Sequence, residues 1–394
     1  MNCLKKSAAR LLLTAAVAIP ALTGCVNDSS LCPDVPEGGV QASFQFTVVT
    51  RGAVHSASRA ANLDPVGDQS ASDAENALDL DRTQFLIFDS DKKLLEALYP
   101  NIVEDNMPLY TATVTLTLPY FADAVAANAD NIPFYIMVLS NCRGIVAEKG
   151  QTIDQIAAEL QTFSAPQNIN ATTGWSPSIE DNRLIPMSGL QGFSVSAAQL
   201  LASTPENPVR LSDGGKSVDM LRALVKIEII DGITDGNYSL TGATLDGHFT
   251  SGTMLPAIAQ WKDYASVDVK APTMPENPVF DTANALIFIK DTAEPDLADA
   301  KAVYSVYVPE FLLGANGATA PTVNARLKPA VGDEITRSFT VADYSGNFPN
   351  ELEQLRRNHI YRFEVTGVSV DMNLQLNYTV CPMDDVTSGD ITFE

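Results

Sequence analysis

From Val40 the chain reads VQASFQFTVV, in which Val40, Ala42, Phe44, Phe46 and Val48 alternate with Gln41, Ser43, Gln45 and Thr47. A period of two places one set of side chains on one face, so this spacing predicts a half-buried strand over residues 40–49. Similar short runs recur: QFLIFDS at 84–90, LYTATVTLTL at 109–118, IPFYIMVLSN at 132–141 and RALVKIEII at 222–230. Further along come YSLTGATLDG at 238–247, ALIFIK at 285–290, AVYSVYVP at 302–309, RSFTVADY at 337–344, YRFEVTGVSV at 361–370 and LQLNYTVCP at 374–382. They are rich in β-branched and aromatic residues and are separated by Gly, Asn, Asp and Pro, which is strand-and-turn chemistry. Many short strands without alternating helices predict an all-β protein built from sandwiches.

Helical patterns are few. TIDQIAAELQTF at 152–163 has Thr152 and Gln155 spaced as a capping box, then an apolar stripe at Ile156, Leu160 and Phe163. NFPNELEQLRRNH at 347–359 predicts another short helix ahead of a strand. The densest turn signal near the middle is DGITDGN at 231–237, which divides the chain into 40–235 and 236–394. Each part has an ordinary size for one sandwich with insertions.

The N-terminus has a different pattern. Lys5, Lys6 and Arg10 precede LLLTAAVAIPAL, an apolar run too short to span a bilayer, so residues 1–24 read as an export signal. Leu22, Thr23 and Gly24 lead into Cys25, which resembles the bacterial lipobox, where the cysteine becomes acylated. Each methylene of such a lipid contributes about 0.8 kcal/mol when buried in a membrane. The competing reading is an ordinary cleaved signal with an incidental cysteine at position 25. Residues 25–39 carry Pro33, Pro36, Gly38 and Gly39 among polar groups and read as a tether. Residues 51–80, with Arg51 and Arg59, are rich in Ala, Ser and Asp and read as a long exposed loop.

Charge narrows the partners. The chain carries 25 basic and 48 acidic residues, a net charge of −23, and loss of the signal's three basic residues takes it to −26. Such a surface repels nucleic acid and anionic head groups. After Cys3 and Cys25 are set aside, Cys32, Cys142 and Cys381 remain, which leaves both one disulfide with a spare thiol and three separate thiols open.

A search for chemistry finds no catalytic, cofactor or metal set. His55, His248 and His359 are isolated, with no ligand partner at helical spacing. DGGKS at 213–217 lacks the spacing of a phosphate loop and reads as a turn. DSDKK at 89–93 lacks the glycine and distal glutamate of a calcium loop and reads as a hairpin turn. Trp175 and Trp261 are the only tryptophans available for a sugar platform. These readings point away from an enzyme.

Several segments, taken in order, resemble the fimbrillin-type subunits of type V pili in Bacteroidales. They are the lipobox with its tether from Cys25 to Pro33, AENALDLDRTQFLIFDSDKKL at 74–94, LIPMSG at 184–189, LRALVKIEI at 221–229, LRRNHIYRFEVTGVS at 355–369 and VCPMDD at 380–385. Met383 stands where members often carry Trp. The resemblance implies two tandem β-sandwiches of the transthyretin or immunoglobulin-like type, with a few short helices. It also implies an outer-membrane, lipid-anchored precursor that becomes part of a surface fimbrium and contributes to adhesion. In such stalk subunits an arginine-specific protease removes the first strand, which makes Arg51 and Arg59 the candidate cleavage sites here. A neighbouring subunit's C-terminal strand then fills the groove. The corresponding donor candidates are Leu374, Leu376, Tyr378 and Val380, with Ile391 and Phe393 beyond a turn. Other fimbrial subunits, and host or bacterial surface ligands, are the expected partners. The alternative is a monomeric surface lipoprotein that binds glycan or host protein on the same fold.

Overall fold

The computed structural model describes residues 40–50, 73–106, 108–142, 144, 146–158, 162–164, 174–262, 266–267, 269–291, 302–345, 349–369 and 371–383. The signal, the tether, Cys25, Cys32, His55, Arg51, Arg59, Ile391 and Phe393 lie outside the described residues.

The period-two runs become strands. In chain order the first ten used here are β1 (Gln41–Val49), β2 (Gln84–Phe88), β3 (Leu94–Leu98), β4 (Asn101–Asn106), β5 (Leu109–Thr117), β6 (Ile132–Ser140) and β7 (Met187–Val195), then the short β8 (Val209–Arg210), β9 (Val218–Asp219) and β10 (Leu221–Arg222). One sheet runs β9-β1-β5-β4, with β8 also beside β1, and the facing sheet runs β10-β7-β6-β2-β3. Their inner faces meet in an aromatic core that includes Phe44, Phe46, Phe85, Phe134 and Phe193. The DSDKK segment is the turn between β2 and β3, with Lys92 at φ 65° and the Lys93 N–H donating to the Asp89 carboxylate at 2.9 Å.

The sheet containing β2 is buried on both faces. Its outer face, with Leu86, Phe88, Met137, Leu139 and Leu190, is covered by Ile153 and Ile156 and by Leu255, Trp261 and Val269 from further along the chain. Helices α1 (Asp73–Asn76), α2 (Pro119–Ala126), α3 (Ile153–Ala158) and α4 (Ala197–Ala202) are all short. The box expected at Thr152 forms: the Gln155 N–H donates to Thr152 Oγ1 at 3.2 Å and the Thr152 N–H to Gln155 Oε1 at 2.8 Å. The predicted stripe does not continue along one helix. Phe163 instead sits in a short strand, Thr162–Ser164, paired with Ser251–Thr253, and Leu160 lies outside the described residues.

Sheet membership changes between Arg222 and Leu224. The following strands are β11 (Leu224–Asp231), β12 (Tyr238–Asp246), β13 (Leu286–Ile287), β14 (Ile289–Asp291), β15 (Val303–Pro309), β16 (Thr322–Pro329), β17 (Ile335–Thr340), β18 (His359–Val368) and β19 (Leu374–Pro382). They make two further sheets, β14-β15-β11-β18-β19 and β13-β12-β16-β17, around a second core. The DGITDGN turn joins β11 to β12, inside this second pair of sheets.

Two local expectations are corrected by tertiary pairing. ALIFIK is not one strand: Leu286–Ile287 pairs with β12 and Ile289–Asp291 with β15, so the run crosses between facing sheets at the buried Phe288. Of the helix expected at 347–359, the described residues 349–359 form none. Asn350–Glu351 pairs with Ala342–Asp343, and Gln354–Leu355 pairs with Phe311–Leu312. A short isolated helix is marginal in water. Here the extended path buries Leu355, and it lets both the backbone N–H and the guanidinium of Arg357 reach Glu310, at 3.0 and 2.7 Å.

Candidate functional site: the first-strand groove

β1 is an interior strand, although it is the first element among the described residues. Along one edge it pairs antiparallel with β5 over its whole length, from Gln41 opposite Thr117 to Val49 opposite Leu109. Along the other it runs parallel to β8 at Phe44–Gln45 and to β9 at Val48–Val49. Val40, Ala42, Phe44, Phe46 and Val48 all point into the first core and are buried. The Phe44 ring lies 5.4 Å from that of Phe121 and 5.1 Å from that of Phe134. Phe46 similarly meets Phe85 and Phe193, at 5.2 and 5.9 Å. Offset or tilted aromatic pairs at such separations add to the burial energy. Lifting β1 out would therefore open a slot floored by aromatic rings and walled by backbone groups.

The far end of β1 leads into a buried polar junction. The Thr50 N–H donates to Pro108 O at 3.1 Å, and the Thr50 hydroxyl donates to Asn76 Oδ1 at 3.3 Å. Arg222 also donates to Asn76 Oδ1, and further to Glu75 O at 2.9 Å, Asn358 Oδ1 at 3.0 Å and Met383 O at 2.6 Å. One guanidinium thus gathers the end of β1, the first residues after 51–72, and the end of β19.

Beside it lies a chain of buried charges. Lys226 is 3.3 Å from Glu75 and 2.9 Å from Glu228, and Arg362 is 2.7 Å from Glu228. The Tyr307 hydroxyl donates to Glu75 at 2.7 Å. Burial opposes the charged forms here, but the partners outweigh it. Glu228 and Glu75 hold the Lys226 ammonium well above its ordinary pKa, and Lys226 with Arg362 hold Glu228 below the usual carboxylate range. Sequence reasoning took RALVKIEII as a plain strand and missed this cluster. The available signal was two opposite charges, Lys226 and Glu228, alternating with Val225, Ile227 and Ile229 in a run otherwise fit for burial.

At the other end of the chain, Leu374, Leu376, Tyr378 and Val380 form part of β19, which pairs with β18 along its length. All four pack against the second core, and the Tyr378 ring lies 5.2 Å from Phe363. Cys381 and Met383 are buried against the first core. These four candidates are thus built into this fold. Burial pushes the Cys142 thiol up to about 12, which favours its protonated form at neutral pH. Trp261 is buried, and Trp175 packs edge-on against Tyr307 at 5.5 Å, so neither tryptophan forms an exposed platform.

No protein-family model matches the chain, and no curated protein matches it. Among solved structures the chain is similar to the tip fimbrial protein Mfa3 from Porphyromonas gingivalis with a C-terminal truncation. That match has a TM-score of 0.50 and 12% identity, and covers 87% of this chain and 99% of the other. It is also similar to a candidate cell adhesion protein from Parabacteroides distasonis (TM-score 0.46, 14% identity, 88% and 99% covered). A fimbrial assembly protein from the same organism follows (TM-score 0.41, 13% identity, 87% and 96% covered). At these identities the likeness is one of fold. The likeness to the tip fimbrial protein agrees with the all-β architecture.

Proposed function

We propose that this protein is a structural subunit of a surface fimbria, exported as a lipoprotein through Cys25 and joined to its neighbours by strand replacement in the β1 groove. The observation that carries the reading is the position of β1. It fills an interior slot with five inward side chains, yet only residues 51–72, with Arg51 and Arg59, connect it to α1. One cut there separates a core strand from the rest of the chain and breaks no other element among the described residues. The emptied slot offers backbone hydrogen bonds and pockets for alternate side chains, the chemistry of strand addition.

Because Leu374, Leu376, Tyr378 and Val380 cover the second core, the donor is the segment after them, with Ile391 and Phe393 at alternate positions. Its partner is the groove of another subunit, on the outer surface of the cell. Adhesion to host or bacterial surfaces is the role of the assembled fibre. Against the monomeric glycan-binding alternative, Trp261 is buried and Trp175 is half-buried with its ring edge-on to Tyr307.

The test is cleavage after Arg51 or Arg59 followed by size-exclusion chromatography, with a chain ending at Met383 as control. The cut full-length protein should form oligomers and the cut control should not. A cut full-length protein that stays monomeric at high concentration overturns the polymerising role.

A further inference from the structure

On the edge of β1 away from β5, parallel pairing with β8 and β9 covers only residues 44–45 and 48–49. The positions just before each pair are covered by side chains. The Ser43 N–H donates to Ser203 Oγ at 3.2 Å, and the Thr47 N–H donates to Ser212 Oγ at 2.9 Å. Ser43 and Thr47 are four residues apart, about 13 Å at strand rise, so their N–H groups face the same edge.

Both hydroxyls are held by elements rooted in the core. Ser203 ends α4, whose Leu200 is buried, and its own proton goes to Leu200 O at 2.8 Å, leaving its lone pairs for a donor. Ser212 belongs to a single 3-10 turn, Leu211–Gly214, which is closed by Gly215 at φ 73° and anchored by the buried Leu211. A hydroxyl that accepts from a backbone N–H is indifferent to the side chain on that residue. It discriminates only against a residue without an N–H and against a strand of the wrong direction or register.

We propose that Ser203 and Ser212 are strand-docking residues of the groove, two fixed acceptors that hold the main chain of whichever strand occupies it. The proposal rests on the exchange reading above. It assigns the occupant as an extended segment of another subunit that runs parallel to β8 and β9. That segment places a small residue at the Ala42 position and large apolar ones at the Phe44 and Phe46 positions. It carries an N–H at the positions of Ser43 and Thr47, and proline at either is excluded.

The test uses the full chain cut within 51–72 and a fluorescent peptide of residues 40–50 exchanged into the groove. Dissociation is followed by anisotropy for wild type, Ser203→Ala and Ser212→Ala. Each substitution should speed release about five- to tenfold, the effect of leaving one strand N–H without its acceptor. A peptide N-methylated at Ser43 should leave wild type faster but lose nothing further on Ser203→Ala. The peptide N-methylated at Thr47 should behave likewise with Ser212→Ala. The N-methylated peptides test the strand N–H on the wild-type protein itself, and each variant is compared with its own release of the unmodified peptide, so a general loosening of its groove cancels. If N-methylation costs the same with and without the matching serine, the docking role is overturned while the exchange reading stands. If wild type captures no peptide, the exchange reading falls and the docking role falls with it.

Discussion

Phe44→Ala is the sharpest probe of the groove, because Phe44 is fully buried and its ring meets those of Phe121 and Phe134. Burial of one such side chain contributes about 1.5–3 kcal/mol, and each aromatic pair about 0.5–1.5 kcal/mol more. Measured Phe→Ala changes in cores, where a cavity is left behind, cost about 3–5 kcal/mol, in agreement with that sum. For a unit of about 150–250 residues each kcal/mol moves Tm by roughly 2–4 °C, so the first sandwich should melt about 6–20 °C lower. In the chain cut within 51–72 the same deficit falls on the equilibrium between strand and groove. It should raise the dissociation constant of the 40–50 strand by about two to four powers of ten. Gln45→Ala, on the outward face, should stay within about 0.5 kcal/mol of wild type. Denaturant unfolding of the uncut protein and mass spectrometry of the cut protein after gel filtration provide the two readouts. A cost below about 1 kcal/mol, or a Phe44→Ala strand retained as firmly as wild type, would refute the view that the aromatic slot holds β1.

Two other outcomes follow from the anchor and the junction. Cys25→Ser should abolish incorporation of labelled fatty acid and retention on the membrane, since a serine hydroxyl cannot form the thioether; label persisting on the variant rules out Cys25 as the anchor. Glu228, held low by Lys226 and Arg362, contributes stability that is present above the ordinary carboxylate pKa of about 4.3 and lost as pH falls through its lower folded value. Lys226, held high, contributes stability that is present below about 10.4 and lost only as pH rises through its higher folded value. Glu228→Gln should therefore cost about 3–5 kcal/mol at neutral pH, with the gap to wild type closing as pH falls below about 4. A gap that stays constant down to pH 2 in melting experiments contradicts the assignment.

Much of the site was legible because the information is local. Period-two alternation at 40–49 marked β1 and its buried face. The turn readings of DSDKK and DGGKS and the capping box at Thr152 likewise needed only neighbouring residues. β7 escaped notice because Gly189 and Gly192 dilute the strand signal of MSGLQGFSV, and β16 because TVNARLKP carries charged residues on its outward face. The helix expected at 347–359 was overridden by pairing with distant strands.

By itself the sequence determined which short segments are extended, which of their faces are apolar, and therefore an all-β protein with few helices. Those properties follow from each residue's own backbone preference and from its transfer energy out of water. Which strands become neighbours was decided only in the tertiary structure. β1 lies between β5 and the late strands β8 and β9, β11 runs parallel to β18, and Ser203 and Ser212 arrive at β1 from more than 150 residues away. Backbone hydrogen bonds are the same at every residue, so the alternation along one strand names no partner. The partner is selected by the joint packing of both sheets around a shared core, a property of the whole chain.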